Sequence, residues 1–176
     1  MLRIPSSFRP SAFAVAAMLI LTPTALAQEF ETAGVVIEVR DSGLQKIGGS
    51  STWLSTGDAV IRNAALETDR LGELAVDMDD GSRLTLSPNS EIVIDRFVYD
   101  PDARDGAAVL TLARGTLRMI TGHMPSERYQ VQTTAISIGV RGTDFSAKVL
   151  DPSRVFVIVN RGAVAVTSRT SSAEFI

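Results

Sequence analysis

Short stretches with an apolar residue at every second position are the feature that most narrows what this chain can become. Val35, Ile37 and Val39 follow this spacing, as do Leu74, Val76 and Met78, Leu84 and Leu86, and Ile92 and Ile94. Leu110 and Leu112, Ile136 and Ile138, Val155, Val157 and Val159, and Val164 and Val166 repeat it. A period of two puts alternate side chains on one face of a strand, so each stretch reads as a half-buried β-strand. Turn signals separate the stretches: Ser42-Gly43, Thr56-Gly57-Asp58, Asp80-Gly81, Pro88-Asn89, Asp100-Pro101-Asp102, Arg114-Gly115 and Arg161-Gly162. No run of ten or more residues beyond position 27 carries a helical period. The fold class is all-β.

A weak internal repeat refines this. Val76-x-Met78-x-Asp80-Gly81, Leu110-x-Leu112-x-Arg114-Gly115 and Val157-x-Val159-x-Arg161-Gly162 share one register, and Val140-Arg141-Gly142 is a partial copy. The pattern implies a strand, a corner at a glycine with positive φ, and another strand. Two architectures fit: a short β-solenoid or β-roll-like stack with its corners at the glycines, or a hairpin-rich β-sandwich or barrel. The core is expected from Leu84, Leu86, Ile92, Ile94, Leu110, Leu112, Ile138, Phe145, Val157 and Val159. The small, polar stretch from Thr167 to Glu174 is expected to fray.

The N-terminus reads as a leader. Arg3 and Arg9 are the only charges in residues 1–27, an apolar run follows from Ser11 to Thr22, and Ala25-Leu26-Ala27 presents a small-x-small site. This is the layout of a signal peptide cleaved between Ala27 and Gln28. The run is also shorter than the roughly 20 apolar residues that span a bilayer. Removing it leaves 149 residues with 15 basic against 20 acidic side chains, a net charge of −5. Such a chain suits one exported, soluble domain, with no membrane insertion once the leader is gone. It is a poor nucleic-acid ligand, because that binding relies on clustered Lys and Arg. The chain has no cysteine, so no disulfide holds the fold.

Little in the sequence carries chemistry. His123, the only histidine, lies in Thr121-Gly122-His123-Met124-Pro125 and reads as a solvated loop residue rather than a triad member. One His and no Cys argue against zinc or iron. Asp77, Asp79 and Asp80 form the densest carboxylate group, and Asp100, Asp102 and Asp105 form a second. Turn chemistry and a wet strand face account for them better than calcium or glycosidase chemistry. No catalytic residue, metal or cofactor is therefore expected. Arg141-Gly142-Thr143-Asp144-Phe145 reads as a corner at which Arg141 pairs with Asp144. Trp53 and Tyr99 are candidate partner anchors.

Several motifs taken together resemble the FecR domain. They are Thr56-Gly57-Asp58; Asp80-Gly81-Ser82-Arg83-Leu84-x-Leu86-x-Pro88-Asn89-Ser90; Leu110-x-Leu112-x-x-Gly115-x-Leu117-Arg118; and Gly139-Val140-Arg141-Gly142-Thr143-Asp144-Phe145. The resemblance runs over residues 50–167, with 28–49 as an N-terminal strand and linker and 168–176 as a C-terminal tail. It implies a periplasmic, solenoid-like all-β module, and the lack of catalytic signatures in the residues makes it non-enzymatic. The motif residues Asp80, Gly81, Ser82, Pro88, Asn89, Ser90, Gly115, Arg141, Gly142, Thr143, Asp144 and Phe145 are then structural. Well-known relatives sense a TonB-dependent outer-membrane transporter and control a sigma factor in iron uptake. Here only ten residues precede the apolar run, and little chain follows the last strand. The expectation is therefore a stand-alone periplasmic interaction module whose partner is another envelope protein, with self-association allowed. An accessory role in iron-uptake signalling is the alternative. A polysaccharide-binding or hydrolysing protein is a third reading, weakened by a supply of only one Trp and two Tyr.

Overall fold

The computed structural model describes residues 30–168 and 172–175. The expected signal peptide and its Ala27–Gln28 junction lie outside the described residues.

The alternating stretches become strands. β1 (Thr32–Arg40), β2 (Leu44–Ile47), β3 (Ser50–Trp53), β4 (Ala59–Ile61) and β5 (Ala65–Glu67) come first. β6 (Glu73–Met78), β7 (Arg83–Leu86), β8 (Glu91–Asp100) and the long β9 (Asp105–Ile120) follow. A single 3-10 turn at Ser126–Arg128 leads into β10 (Tyr129–Gln132), β11 (Ile136–Asp151), β12 (Arg154–Ser168) and β13 (Ser172–Phe175). Among the described residues no helix is long and apolar enough to cross a membrane. Residues 172–175 pair with Val164–Thr167, so part of the tail expected to fray is a strand.

The strands join in one sheet with the path β13-β12-β11-β10-β9-β7-β6-β1-β4. The sheet is antiparallel and curls into a half-barrel. β9 with β10 is the one parallel ladder among the described residues. This departs from the solenoid expectation, because stacked coils pair in parallel. Here tight hairpins join β6 to β7, β8 to β9 and β11 to β12, and a hairpin must return antiparallel. The sheet path is also continuous, rather than divided into the two stacked sheets of a sandwich.

The repeated glycines explain how one sequence pattern misled. Gly81 closes the β6–β7 hairpin. Gly115, Gly142 and Gly162 instead sit inside β9, β11 and β12, with φ of 80°, 61° and 82°. At Gly115 and Gly142 the two halves of the strand serve different neighbours, whereas β12 keeps β11 as its partner on both sides of Gly162 and gains β13 beyond it. The first half of β9 pairs with β8 and β10, and the second half with β7 and β11. The sheet curls at these bends, and its concave side encloses the core.

That core contains Leu84, Leu86, Ile92, Ile94, Leu110, Leu112, Ile138 and Phe145, all buried, as the alternation implied. Val157 and Val159 pack against it but stay half-exposed. Leu112→Ala is expected to cost about 2–5 kcal/mol. Val157→Ala is expected to cost clearly less, since less of its surface leaves water. Urea unfolding midpoints for the two variants check this; equal losses would contradict the burial pattern.

Candidate functional site

The most unusual side chain in the fold is Asp80, whose carboxylate is fully buried. It begins as turn chemistry. Gly81 N–H donates to Met78 O at 2.9 Å and Met78 N–H to Ser82 O at 2.8 Å, closing a three-residue hairpin loop with Gly81 at φ 82°. Ser82 folds back on the turn. Its N–H and its hydroxyl donate to Asp80 Oδ1 at 3.0 and 2.6 Å. The Tyr129 hydroxyl donates to Asp80 Oδ2 from the start of β10.

The segment after β9 closes over this turn. Tyr129 Oη accepts from Gly122 N–H at 3.1 Å and from Met124 N–H at 3.2 Å. His123 donates twice to the Asp80 carbonyl, through its backbone N–H at 2.9 Å and through ring Nδ1 at 2.6 Å. The segments approach so closely that a Cβ on Gly122 would fall on Asp80 O and Ser82 N. His123 is exposed, as a loop histidine should be, yet its ring is tied to the turn rather than only solvated. Burial and the neighbouring Asp80 carboxylate push the Tyr129 hydroxyl pKa well above its ordinary value.

A second joint forms around Ser90. Its N–H donates to Thr68 Oγ1 at 3.0 Å, and Thr68 Oγ1 donates to Ser87 O at 2.7 Å. Ser90 Oγ donates to Thr116 O at 3.1 Å and accepts from Thr116 N–H at 2.8 Å. Asn89 takes a positive φ of 56° beside Pro88 to present this geometry. Gly115 packs directly against it: a Cβ there would meet Ser90 Oγ and Asn89 O. The Pro88-Asn89-Ser90 turn and the bend in β9 therefore fit each other.

The third joint holds the later bends. Thr121 N–H donates to Thr143 O at 3.0 Å, and Thr143 N–H returns to Thr121 Oγ1 at 3.0 Å. A Cβ on Gly162 would fall on Gly142 O, so the bends of β11 and β12 nest. Asp144 is held in a fork by Arg118, at 2.9 and 2.8 Å, with Asn160 adding a bond at 3.2 Å. The Arg118 guanidinium holds the Asp144 carboxyl below the usual carboxylate range. This Arg118 fork on β9 was not legible in the corner motif, which pointed to Arg141 as the partner of Asp144. Arg141 itself is exposed at the bend, and Phe145 is in the core.

The remaining candidates are placed apart. Asp77 is gripped by Arg83 at 2.6 and 2.8 Å, which lowers its pKa. Asp79 is exposed at the mouth of an open groove shared with Asp77, Arg83, Ile120 and His123. Asp100 and Asp105 face each other at the β8–β9 hairpin, where Asp105 pairs with Arg128 at 2.8 Å. Among the described residues no three His, Asp or Glu side chains gather in a way that could hold a metal. Trp53 is 69% exposed on β3, and Tyr99 packs against the core. Sequence reasoning missed Tyr129, Thr68, Thr116 and Thr121, because each acts on a motif more than twenty residues away.

A family model described as FecR protein matches residues 64–165. The chain belongs to the FecR family. The three joints, at Asp80-Gly81-Ser82, Pro88-Asn89-Ser90 and Gly142-Thr143-Asp144, lie within the matched residues. A crystal structure of a "putative anti-sigma factor" from Parabacteroides distasonis ATCC 8503 aligns with TM-score 0.53 and 18% identity. It covers 64% of this chain and 50% of that one, so the match spans about half of that protein. A second structure with the same description and organism aligns with TM-score 0.49 at 16% identity, with the same coverage. At such identities the likeness is one of fold. The comparison with curated proteins returned no match.

Two outcomes follow from this geometry. Gly115→Ala places a Cβ on Ser90 at a positive φ and is expected to cost about 1–3 kcal/mol, read as a lowered thermal midpoint. A midpoint equal to wild type would contradict the fit of Gly115 to Ser90. For Tyr129, the folded pKa lies above the ordinary value of 10.0. Its contribution is then complete below pH 10 and lost as the pH rises further, when the unfolded chain ionises first. Unfolding midpoints should fall more steeply above pH 10 in wild type than in Tyr129→Phe; parallel slopes would contradict this.

Proposed function

We propose that this FecR-family chain is an exported, non-enzymatic interaction module of the cell envelope, released into the periplasm after cleavage behind Ala27. One observation carries the non-enzymatic part: the motif carboxylate of Asp80 has both oxygens occupied by Ser82 and Tyr129. A fully buried carboxylate whose two oxygens both accept from internal donors is an element of architecture, closed off from a substrate. Such a domain acts by presenting surface, and its partner is another envelope protein.

A second reading is supported by the description of the fold neighbour as a "putative anti-sigma factor" and by the family itself. In it, the module is an accessory of envelope-to-sigma-factor signalling, with a TonB-dependent transporter as the upstream component. The exposed Trp53 suits protein contact in either reading.

The test is expression of the full chain in a Gram-negative host, with N-terminal sequencing of the product in each cell fraction. A product beginning at Gln28 in the osmotic-shock fraction is expected. An intact leader in the membrane or cytosol would overturn the reading. Deleting the gene under iron limitation separates the two roles: unchanged transcription of uptake genes fits the stand-alone module, and altered transcription fits the signalling accessory.

A further inference from the structure

β12 changes character at its Gly162 bend. Beyond it, residues 164–167 are flanked by β11 on one side and β13 on the other. Before it, Arg154–Arg161 pair only with β11 among the described residues, so their outer backbone edge is open. This open edge carries the run Val155-Phe156-Val157-Ile158-Val159, apolar on both faces. Phe156 and Ile158 point outward and are 57% and 62% exposed. Val155, Val157 and Val159 point inward and are only half-buried.

Native sheets guard free edges with charges, prolines, bulges or short length. None of these occurs between Val155 and Val159; the nearest charges, Arg154 and Arg161, stand outside the run. An unguarded strand with high β-propensity and two apolar faces is a template for pairing with another strand.

We propose that the occupant is a second copy of the chain, docked edge to edge in an antiparallel two-fold pair centred on Val157. This goes beyond the reading as an envelope module and does not depend on it. The sequence is self-complementary in that register. Phe156 lies opposite Ile158 of the partner subunit, and Val155 opposite the partner's Val159, twice over by symmetry. Arg154 lies opposite the partner's Asn160, so no like charges meet. In-chain pairing supports the same spacing: Arg154 is bonded to Asp151, and Asn160 to Asp144, which leaves the ends of the run polar and satisfied. The two sheets then continue through one another, and the outward faces of Phe156 and Ile158 form a shared apolar ridge. A foreign strand would have to bring two apolar faces of its own in this register.

Sedimentation velocity on the protein purified after expression of the full chain tests the proposal. Wild type is expected to be a dimer at tens of micromolar. Phe156→Lys combined with Ile158→Lys sets lysine opposite lysine twice across the axis. It should weaken association by at least about 100-fold while leaving the circular dichroism melt unchanged, since both side chains are exposed. Ile120→Lys, an exposed position on β9 away from the edge, should leave the dimer intact. A wild-type monomer at that concentration overturns the proposal. So does a dimer that survives the double substitution, or a monomer that covers this edge only when a different envelope protein is added.

Discussion

Asp80 carries a carboxylate into the interior of a small β domain, and the surrounding architecture is arranged around satisfying it. Burying a charged group without partners costs several kcal/mol, so such a residue persists only where donors are already in place. Here the donors come from two directions. Ser82 supplies two from the same hairpin, and Tyr129 supplies one from a strand 49 residues away. Because Tyr129 Oη also accepts from Gly122 and Met124, one phenol fixes the path of the whole segment between β9 and β10. That path sets β10 parallel to the first half of β9, the one exception to antiparallel pairing among the described ladders. The exception therefore has a local cause.

The other two joints obey the same logic with neutral groups. A hydroxyl reads both the donor and the acceptor of a neighbouring backbone unit: Ser90 does this at Thr116, and the Thr121 hydroxyl, at 3.4 Å from Thr143 O and seconded by its own backbone N–H, does it at Thr143. Beside each hydroxyl pair lies a glycine with positive φ and no room for a Cβ. Long strands are bent at these points, with the β11–β12 ladder shifting register at the bend and resuming beyond it, so a continuous sheet can curl around a single core. Asp80-Gly81-Ser82, Pro88-Asn89-Ser90 and Gly142-Thr143-Asp144 are the joints of that sheet. Many of their polar atoms are used in holding it: Asp80, Ser82 and Ser90 bond within or across the joints.

Periodicity made the strands legible, because burial of one face enforces a period of two whatever the tertiary context. Leu84, Ile92 and Leu112 could be assigned to the core on that ground alone. The glycine corners were also legible, but their consequence was not. Asp80-Gly81 and Arg114-Gly115 look alike in sequence, yet one closes a hairpin and the other bends a strand. The difference lies in what packs opposite, Tyr129 and His123 in one case and Ser90 in the other, and no local pattern encodes it. The pairing of Asp144 with Arg118 escaped notice for the same reason, since cross-strand register decides it. Val157 and Val159 fit the core pattern by period, but the first half of β12 pairs on one side only among the described residues, and there alternation no longer guarantees burial.

An account in which one buried carboxylate locks hairpin to crossing loop makes its strongest demand on the coupling between Asp80 and Tyr129. A double-mutant cycle with Asp80→Ala, Tyr129→Phe and the combined variant, read by urea unfolding at neutral pH, measures it directly. The account predicts a coupling of about 1–3 kcal/mol, because either single change strands the other partner's buried polar groups. Additivity within about 0.5 kcal/mol would contradict it, and the hairpin and the loop would then be held independently.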